Sequence, residues 1–187
     1  MSLLDIHVLG SPVLRQVTRP VDVVTDELRR LIDDMIETMY VAKGIGLAAP
    51  QVGRLERIAV IDVGDERGPF AIINPELLRA EGRAKAEEGC LSIPDVYADV
   101  ERPASVTVRA LDRAGVAFEI SGEDLLARCL QHEIDHLHGR LFVDHLSLLR
   151  RRGVLAKWAK MREQYPDLRR KLPPDEIAAH HHRDEEL

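Results

Sequence analysis

The sequence predicts an α+β fold in which short antiparallel strands surround a central metal-binding helix, with an N-terminal and a C-terminal helix besides. Three observations carry this expectation. Apolar residues recur at helical spacing in three separate stretches. Between the first and second of these lie only short β-rich runs and turns, not the regular strand–helix alternation of a parallel sheet. The second helical stretch contains QHEIDHLHG (131–139), an H-E-x-x-H pattern of the kind found in metal-dependent hydrolases.

The first helix is read over 26–42. Leu28, Leu31, Ile32, Met35, Ile36, Met39 and Tyr40 share one face, Asp26 and Glu27 suit its positive N-terminal end, and Lys43-Gly44 supplies a stop. Strands follow at 57–63 (RIAVIDV) and 70–74 (FAIIN). Val106, Val108 and Ala110 alternate with polar residues, as do Val116, Phe118 and Ile120. The turn residues Asp112-Arg113-Ala114-Gly115 between them predict a hairpin. Residues 123–138 return to helix and stop at Gly139. A C-terminal helix spans 147–165, ended by Tyr165-Pro166, with Leu155 and Trp158 as its expected contacts with the core. From Pro173 on the chain is polar, with five acids against one arginine, and reads as a tail that includes His180, His181 and His182. One domain over 1–172 and a tail over 173–187 are expected.

A chain of 187 residues can bury a real core, and with 4% aromatic residues that core must rest on Leu, Ile, Val and Ala. A net charge of −6 argues against general nucleic-acid affinity. Two separated cysteines, Cys90 and Cys129, are too few for a disulfide scaffold. The first ten residues lack the basic and apolar regions of a signal peptide, and no apolar run nears the ~20 residues of a membrane span. A cytoplasmic monomer is the expectation.

On a helix His132 and His136 lie one turn apart on one face, so both imidazoles reach one cation, and Glu133 stands beside them without being a ligand. Histidines on a solvated face would be the plainer explanation, but pattern, helical setting and Gly139 agree on a site. Such a site needs a third ligand. The extended H-E-x-x-H-x-x-G-x-x-H form requires histidine at 142, where Phe142 stands. A glutamate on a later helix would have to be Glu163, inside a basic run. Cys129 precedes His136 by seven residues, about 10 Å along the axis, too far for a sulfur bond of about 2.3 Å to share the ion. It reads as a small buried apolar residue. Cys90, in EEGCLSIP, becomes the third ligand, presented from a loop ahead of a possible strand.

The stretch GIGLAAPQVG (44–53) matches G-x-G-x-x-A, but a dinucleotide fingerprint needs a strand before it and a helix after it, whereas here a helix precedes and Pro50 follows. It reads instead as a tight turn between helix and sheet, whose glycines let another backbone approach closely, as a docking peptide would. Gln51 then offers an amide N–H to a developing oxyanion.

GIGLAAPQ, EGCLS and QHEIDHLHG occur in this order, and together they resemble the three signature motifs of peptide deformylases. The resemblance runs from about 5 to 165, and includes MSLLDIHVLGSPVLR and IDDMIETMY near the start. It implies removal of the formyl group from the N-terminal formylmethionine of nascent polypeptides, with formate released. It implies Cys90, His132 and His136 as metal ligands, Glu133 as general base and acid, and the Gln51 side chain and Leu91 backbone N–H as oxyanion donors. Gly46 and Gly89 would hydrogen-bond the peptide backbone, while Ile45, Leu125, Cys129 and His132 would line the methionine pocket. Tyr97 stands where some members carry arginine, and it is expected to touch the peptide beyond that pocket.

Iron as Fe(II) is the metal the resemblance implies, with zinc, nickel or cobalt chemically suited to the same ligands. Two other readings compete: a general H-E-x-x-H zinc peptidase, and a non-catalytic ribosome-associated metal-binding module. Intact Glu133, Gln51 and Cys90 argue against the second. Residues 150–171 hold nine Lys or Arg against Glu163 and Asp167. By itself this is a solvated scaffold helix. The resemblance to deformylases that dock on the ribosome through such a helix adds a ribosome contact as an expectation.

Overall fold

A computed structural model of the chain describes residues 2–173. The expected tail, apart from Pro173, and its three histidines lie outside the described residues. Strand β1 is Ile6–His7. Thr25 then caps α1 (Asp26–Val41) by accepting the Leu28 N–H, and the acids of the first turn face the positive end of the helix. The predicted apolar stripe is the buried one, with Leu28, Leu31, Ile32, Met35 and Met39 turned inward.

Five strands follow in one antiparallel sheet, in the spatial order β2 (Gly46–Ala48), β3 (Ile58–Ile61), β4 (Phe70–Glu81), β7 (Ser105–Leu111) and β8 (Ala117–Glu123). A two-stranded sheet pairs β5 (Ala84–Cys90) with β6 (Ile93–Arg102). The strand IAVI of β3 is apolar throughout because both of its faces are covered. Ile58 and Val60 pack with Leu47, Ile73 and the stripe of α1. Ala59 and Ile61 pack with Ile72, Val106, Val108 and Ile120 against the opposite helix, α2 (Asp124–Leu137), through its Leu126, Ala127 and Leu130. Gly139, at φ 70°, ends that helix where a Cβ would collide with the Arg15 carbonyl.

The third helix, α3 (Leu148–Met161), buries Val154 and Trp158 against Ile93, Val96, Val100, Leu141 and Phe142. The Trp158 indole N–H donates to the Leu9 carbonyl at 3.0 Å. After a 3-10 turn at Arg162–Gln164 the chain returns as β9 (Arg169–Arg170), which pairs with β1.

Several expectations need correcting. The strand read over 70–74 continues to Glu81, because a bulge with register shifts after Ile73 absorbs Pro75, which has no N–H for the ladder. Strands are not uniformly short, since β4 has 12 residues and β6 has 10. Cys90 does not sit in a loop: it closes β5, opposite Ile93. The glycine-rich stretch is more than a turn, for its residues 46–48 are β2. Helix α3 stops at Met161 rather than 165, and Val154 docks where Leu155 was expected, Leu155 being 37% exposed.

Candidate metal centre and substrate cleft

Helix α2 carries His132, Glu133 and His136, and β5 brings Cys90 to them. The Nε2 atoms of the two histidines are 3.2 Å apart, and Cys90 Sγ is 3.3 Å from His136 Nε2. All three ligand atoms lie within 4.8 Å of one another. Bonds of about 2.3 Å to sulfur and 2.0–2.1 Å to nitrogen, at tetrahedral angles, would separate donors by about 3.3–3.6 Å. The trio therefore fits a single small cation with little rearrangement. Cys129 stands apart from it, its thiol donating to the Ile45 carbonyl at 3.4 Å. Burial, helped by the Glu133 and Glu88 charges, pushes that thiol's pKa well up, so it stays neutral.

The ring of His132 is aimed by its other nitrogen. Its Nδ1 lies 3.1 Å from Glu88 Oε2, which turns Nε2 toward Cys90 and His136. Glu88 is itself buried, and accepts from Arg102 at 2.5 Å and 3.0 Å and from Arg128 at 2.6 Å. Burial would raise the Glu88 pKa, but hydrogen bonds from His132 and Arg102 outweigh it and hold the carboxyl well below its ordinary range. Arg102 also donates to Asp135 at 2.8 Å, and so ties the C-terminal half of α2 to the β5–β6 hairpin.

Burial disfavours a charge on His132, yet hydrogen bonds to Cys90 and Glu88 more than offset it and raise its pKa well above the ordinary value. His136, buried beside it, is pushed well down. Glu133 is buried and its pKa is pushed up to about 7, by desolvation first, against the pull of His132. Its Oε2 and the Nδ1 of His136 have no hydrogen-bond partner among the described residues.

Gln51 faces this group from a 3-10 turn, Ala49–Val52, that follows β2. Its Oε1 accepts the Ala48 N–H at 2.9 Å, which turns its Nε2 to Ser92 Oγ at 3.1 Å and to Cys90 Sγ at 3.6 Å. Leu91 and Ser92 form the turn from β5 to β6, and the Ser92 carbonyl accepts the Leu9 N–H at 2.8 Å. Gly46 has a steric reason to be glycine. A Cβ there would overlap Glu133 Oε1 and stand 2.8 Å from the carboxyl carbon.

These groups border a cavity of about 370 Å³. Of the residues singled out from sequence, Ile45, Gly46, Gln51 and Leu125 line it from one side. Gly89, Cys90, Leu91 and Tyr97 line it from the hairpin, and Cys129, His132 and Glu133 form its floor. His136 sits behind them, fully buried. Among the described residues β2 pairs with β3 alone, so its other edge is open toward the cleft. Sequence reasoning missed Glu88, Arg102 and Ser92. The acid two places before Cys90 was visible, but nothing in the sequence marks Arg102 as its partner.

A family model described as "Polypeptide deformylase" matches residues 3–152. The chain is 54% identical over 166 residues to the peptide deformylase of Alkalilimnicola ehrlichii, a match covering 88% of this chain and 93% of that one. The crystal structure of a peptide deformylase from Legionella pneumophila is similar at a TM-score of 0.83, with 48% identity over 87% of this chain and 97% of the other. A peptide deformylase from Synechococcus elongatus, solved in complex with actinonin, matches at a TM-score of 0.80 with 48% identity, over 83% of this chain and 88% of that one.

Proposed function

The chain belongs to the polypeptide deformylase family, and on that premise we propose how its own residues carry the reaction. It is a metal-dependent hydrolase that takes the formyl group from the N-terminal formylmethionine of nascent polypeptides. Family membership sets aside the general peptidase and the non-catalytic module. The observation that carries the residue roles is the convergence of Cys90, His132 and His136 beside the buried Glu133, at the open edge of β2.

Cys90, His132 and His136 hold the metal, so that α2 is the metal-binding helix. When bound, the metal supplies a Lewis acid that polarises a carbonyl oxygen and makes water acidic enough to lose a proton near neutral pH. Glu133 takes that proton as the water oxygen attacks the formyl carbon, then delivers it to the leaving nitrogen as the C–N bond breaks, giving formate and a free amine. Burial pushes the pKa of the Glu133 carboxyl up from its ordinary range, which makes it a better proton acceptor than an exposed glutamate and suits it to both transfers. The Gln51 Nε2–H and the Leu91 N–H donate to the oxygen on which charge develops, and one such donor is worth about 10²–10³ in rate. The peptide lies along β2 as an added strand, taking backbone hydrogen bonds at Gly46 and Gly89. Its methionine side chain enters between Ile45, Leu125, Cys129 and His132, and the next residues pass Tyr97.

One thiolate and two imidazoles suit Fe(II), zinc, cobalt or nickel. We take Fe(II) as the metal in the cell, following the family resemblance. Residues 1–172 are read as one catalytic domain, working as a monomer. The cytoplasm is the compartment we favour, because formylated chains are made there and both cysteines are free thiols. No helix among the described residues is long and apolar enough to cross a membrane. The exposed cations of α3 are the proposed ribosome contact.

The ligand set is tested by metal content after anaerobic purification. Cys90→Ser should lose most of its metal, whereas Cys129→Ser should keep wild-type stoichiometry. The opposite order of loss would show the assignment to be wrong.

A further inference from the structure

The C-terminal segment builds a wall of the cleft that none of the three motifs supplies. Pairing of β9 with β1 sets Arg170 opposite Ile6 and Arg169 opposite His7. The Leu168 carbonyl accepts the Val8 N–H at 3.0 Å, and the Tyr165 ring stacks on Trp158 with centroids 5.9 Å apart. So anchored, Tyr165 and Arg170 line the same cavity as Cys90, His132 and Glu133. Both residues lie beyond 152, where the family match ends.

Arg170 is half-buried. Its neighbours in sequence are committed, Arg169 to Asp5 at 3.8 Å and Lys171 to Asp167 at 3.3 Å. Arg128, another cation in the cavity lining, is bound to Glu88 and to the Ala84 and Val100 carbonyls. Arg170 has no ion pair among the described residues, although the lining also includes the exposed acids Glu87 and Asp95. A guanidinium partly withdrawn from water, facing a cleft, is a two-pronged donor for a carboxylate.

We infer that Arg170 reads the peptide beyond its formylmethionine and favours chains that bring a carboxylate to the outer cleft. This rests on the proposed path of the peptide through the cleft. The carboxylate comes from an acidic side chain shortly after the methionine or from the C-terminus of a short peptide.

Turnover of C-terminally amidated formyl-Met peptides, with Glu or Gln at the second, third or fourth position, separates these sources when a free-acid Gln peptide is added to the set. The wild type should favour Glu over Gln at one of these positions, or the free acid over the amide, by about threefold in kcat/KM at low salt. Near 0.5 M salt the preference should fade, with a screening length of only about 3–5 Å. Arg170→Gln should bring the ratio to about one while the amidated Gln peptides keep their rate, Arg170→Lys should keep part of it, and Arg170→Glu should invert it. Identical ratios in the wild type and Arg170→Gln would overturn the inference. Failure of the wild type to release formate from any of the peptides would instead strike at the cleft assignment itself.

Discussion

Gly46 and Glu133 constrain one another. The carboxylate occupies the space where any other residue at 46 would place its Cβ, so the proposed general base is positioned by the absence of a side chain on β2. Gly46→Ala should therefore fold and keep its metal, but lose at least about a hundredfold in formate release, the lower range of a displaced general base. Gly89→Ala offers the contrast. Its Cβ would meet the Tyr97 ring at 2.5 Å, but that residue is 55% exposed and its ring can swing into solvent. The loss there should be far smaller and fall mainly on KM. Gly46 costing no more than Gly89, with metal retained, would contradict the steric account.

At the scale of elements, α3 shows how a charged helix can be both scaffold and surface. Val154 and Trp158 are buried, while Arg150, Arg152, Lys157 and Lys160 are exposed and make no ion pair among the described residues. Deleting the helix would strip apolar cover from the β5–β6 hairpin, so charge is the cleaner variable. Replacing Arg152 and Lys157 by Glu should weaken low-salt co-sedimentation with ribosomes severalfold and leave turnover of short peptides unchanged. Equal sedimentation of the variant and the wild type would return α3 to a purely structural role. Helices α1 and α2 were legible in the sequence because each pairs an apolar stripe with a stop signal, whereas α3 was legible in its presence but not in its end or in its docking residue Val154. The β5–β6 hairpin was not, although Val96, Ala98 and Val100 alternate with Asp95, Tyr97 and Asp99. Alanine and aspartate are weak strand formers, and the pairing here is set by the packing of Ile93, Val96 and Val100 beneath α3. The same blindness put Cys90 in a loop, whereas it closes β5 with its sulfur and the His132 and His136 ligand atoms all within 4.8 Å of one another.

Across the whole molecule, buried charges join elements far apart in sequence. Arg102 meets Glu88 and Asp135, which are 14 and 33 positions away, so no local pattern could reveal it. Breaking such a buried pair by removing one partner typically costs about 3–5 kcal/mol. Burial alone would raise the pKa values of Glu88, Asp135 and Asp144, but their donors outweigh it and all three lie below their ordinary 4.5, 3.8 and 3.8. A depressed carboxyl stabilises the fold above its unfolded pKa and loses that contribution as pH falls toward the folded one. The denaturation midpoint of the metal-free protein should therefore drop as pH falls below about 4.5, and Glu88→Gln should start lower and fall less steeply. Parallel pH curves for the two proteins would contradict this. The residues of the three motifs were all visible in the sequence, and folding gathers them at one cleft, whereas the Arg102 network that holds them was not. In the proposed mechanism their chemistry turns on one proton carrier, Glu133. The most direct test is formate release by Glu133→Gln at full metal occupancy, because an amide of the same shape leaves the ligands alone and cannot move protons. Turnover below a hundredth of wild type is the expected result, and retention of more than a tenth would contradict the account.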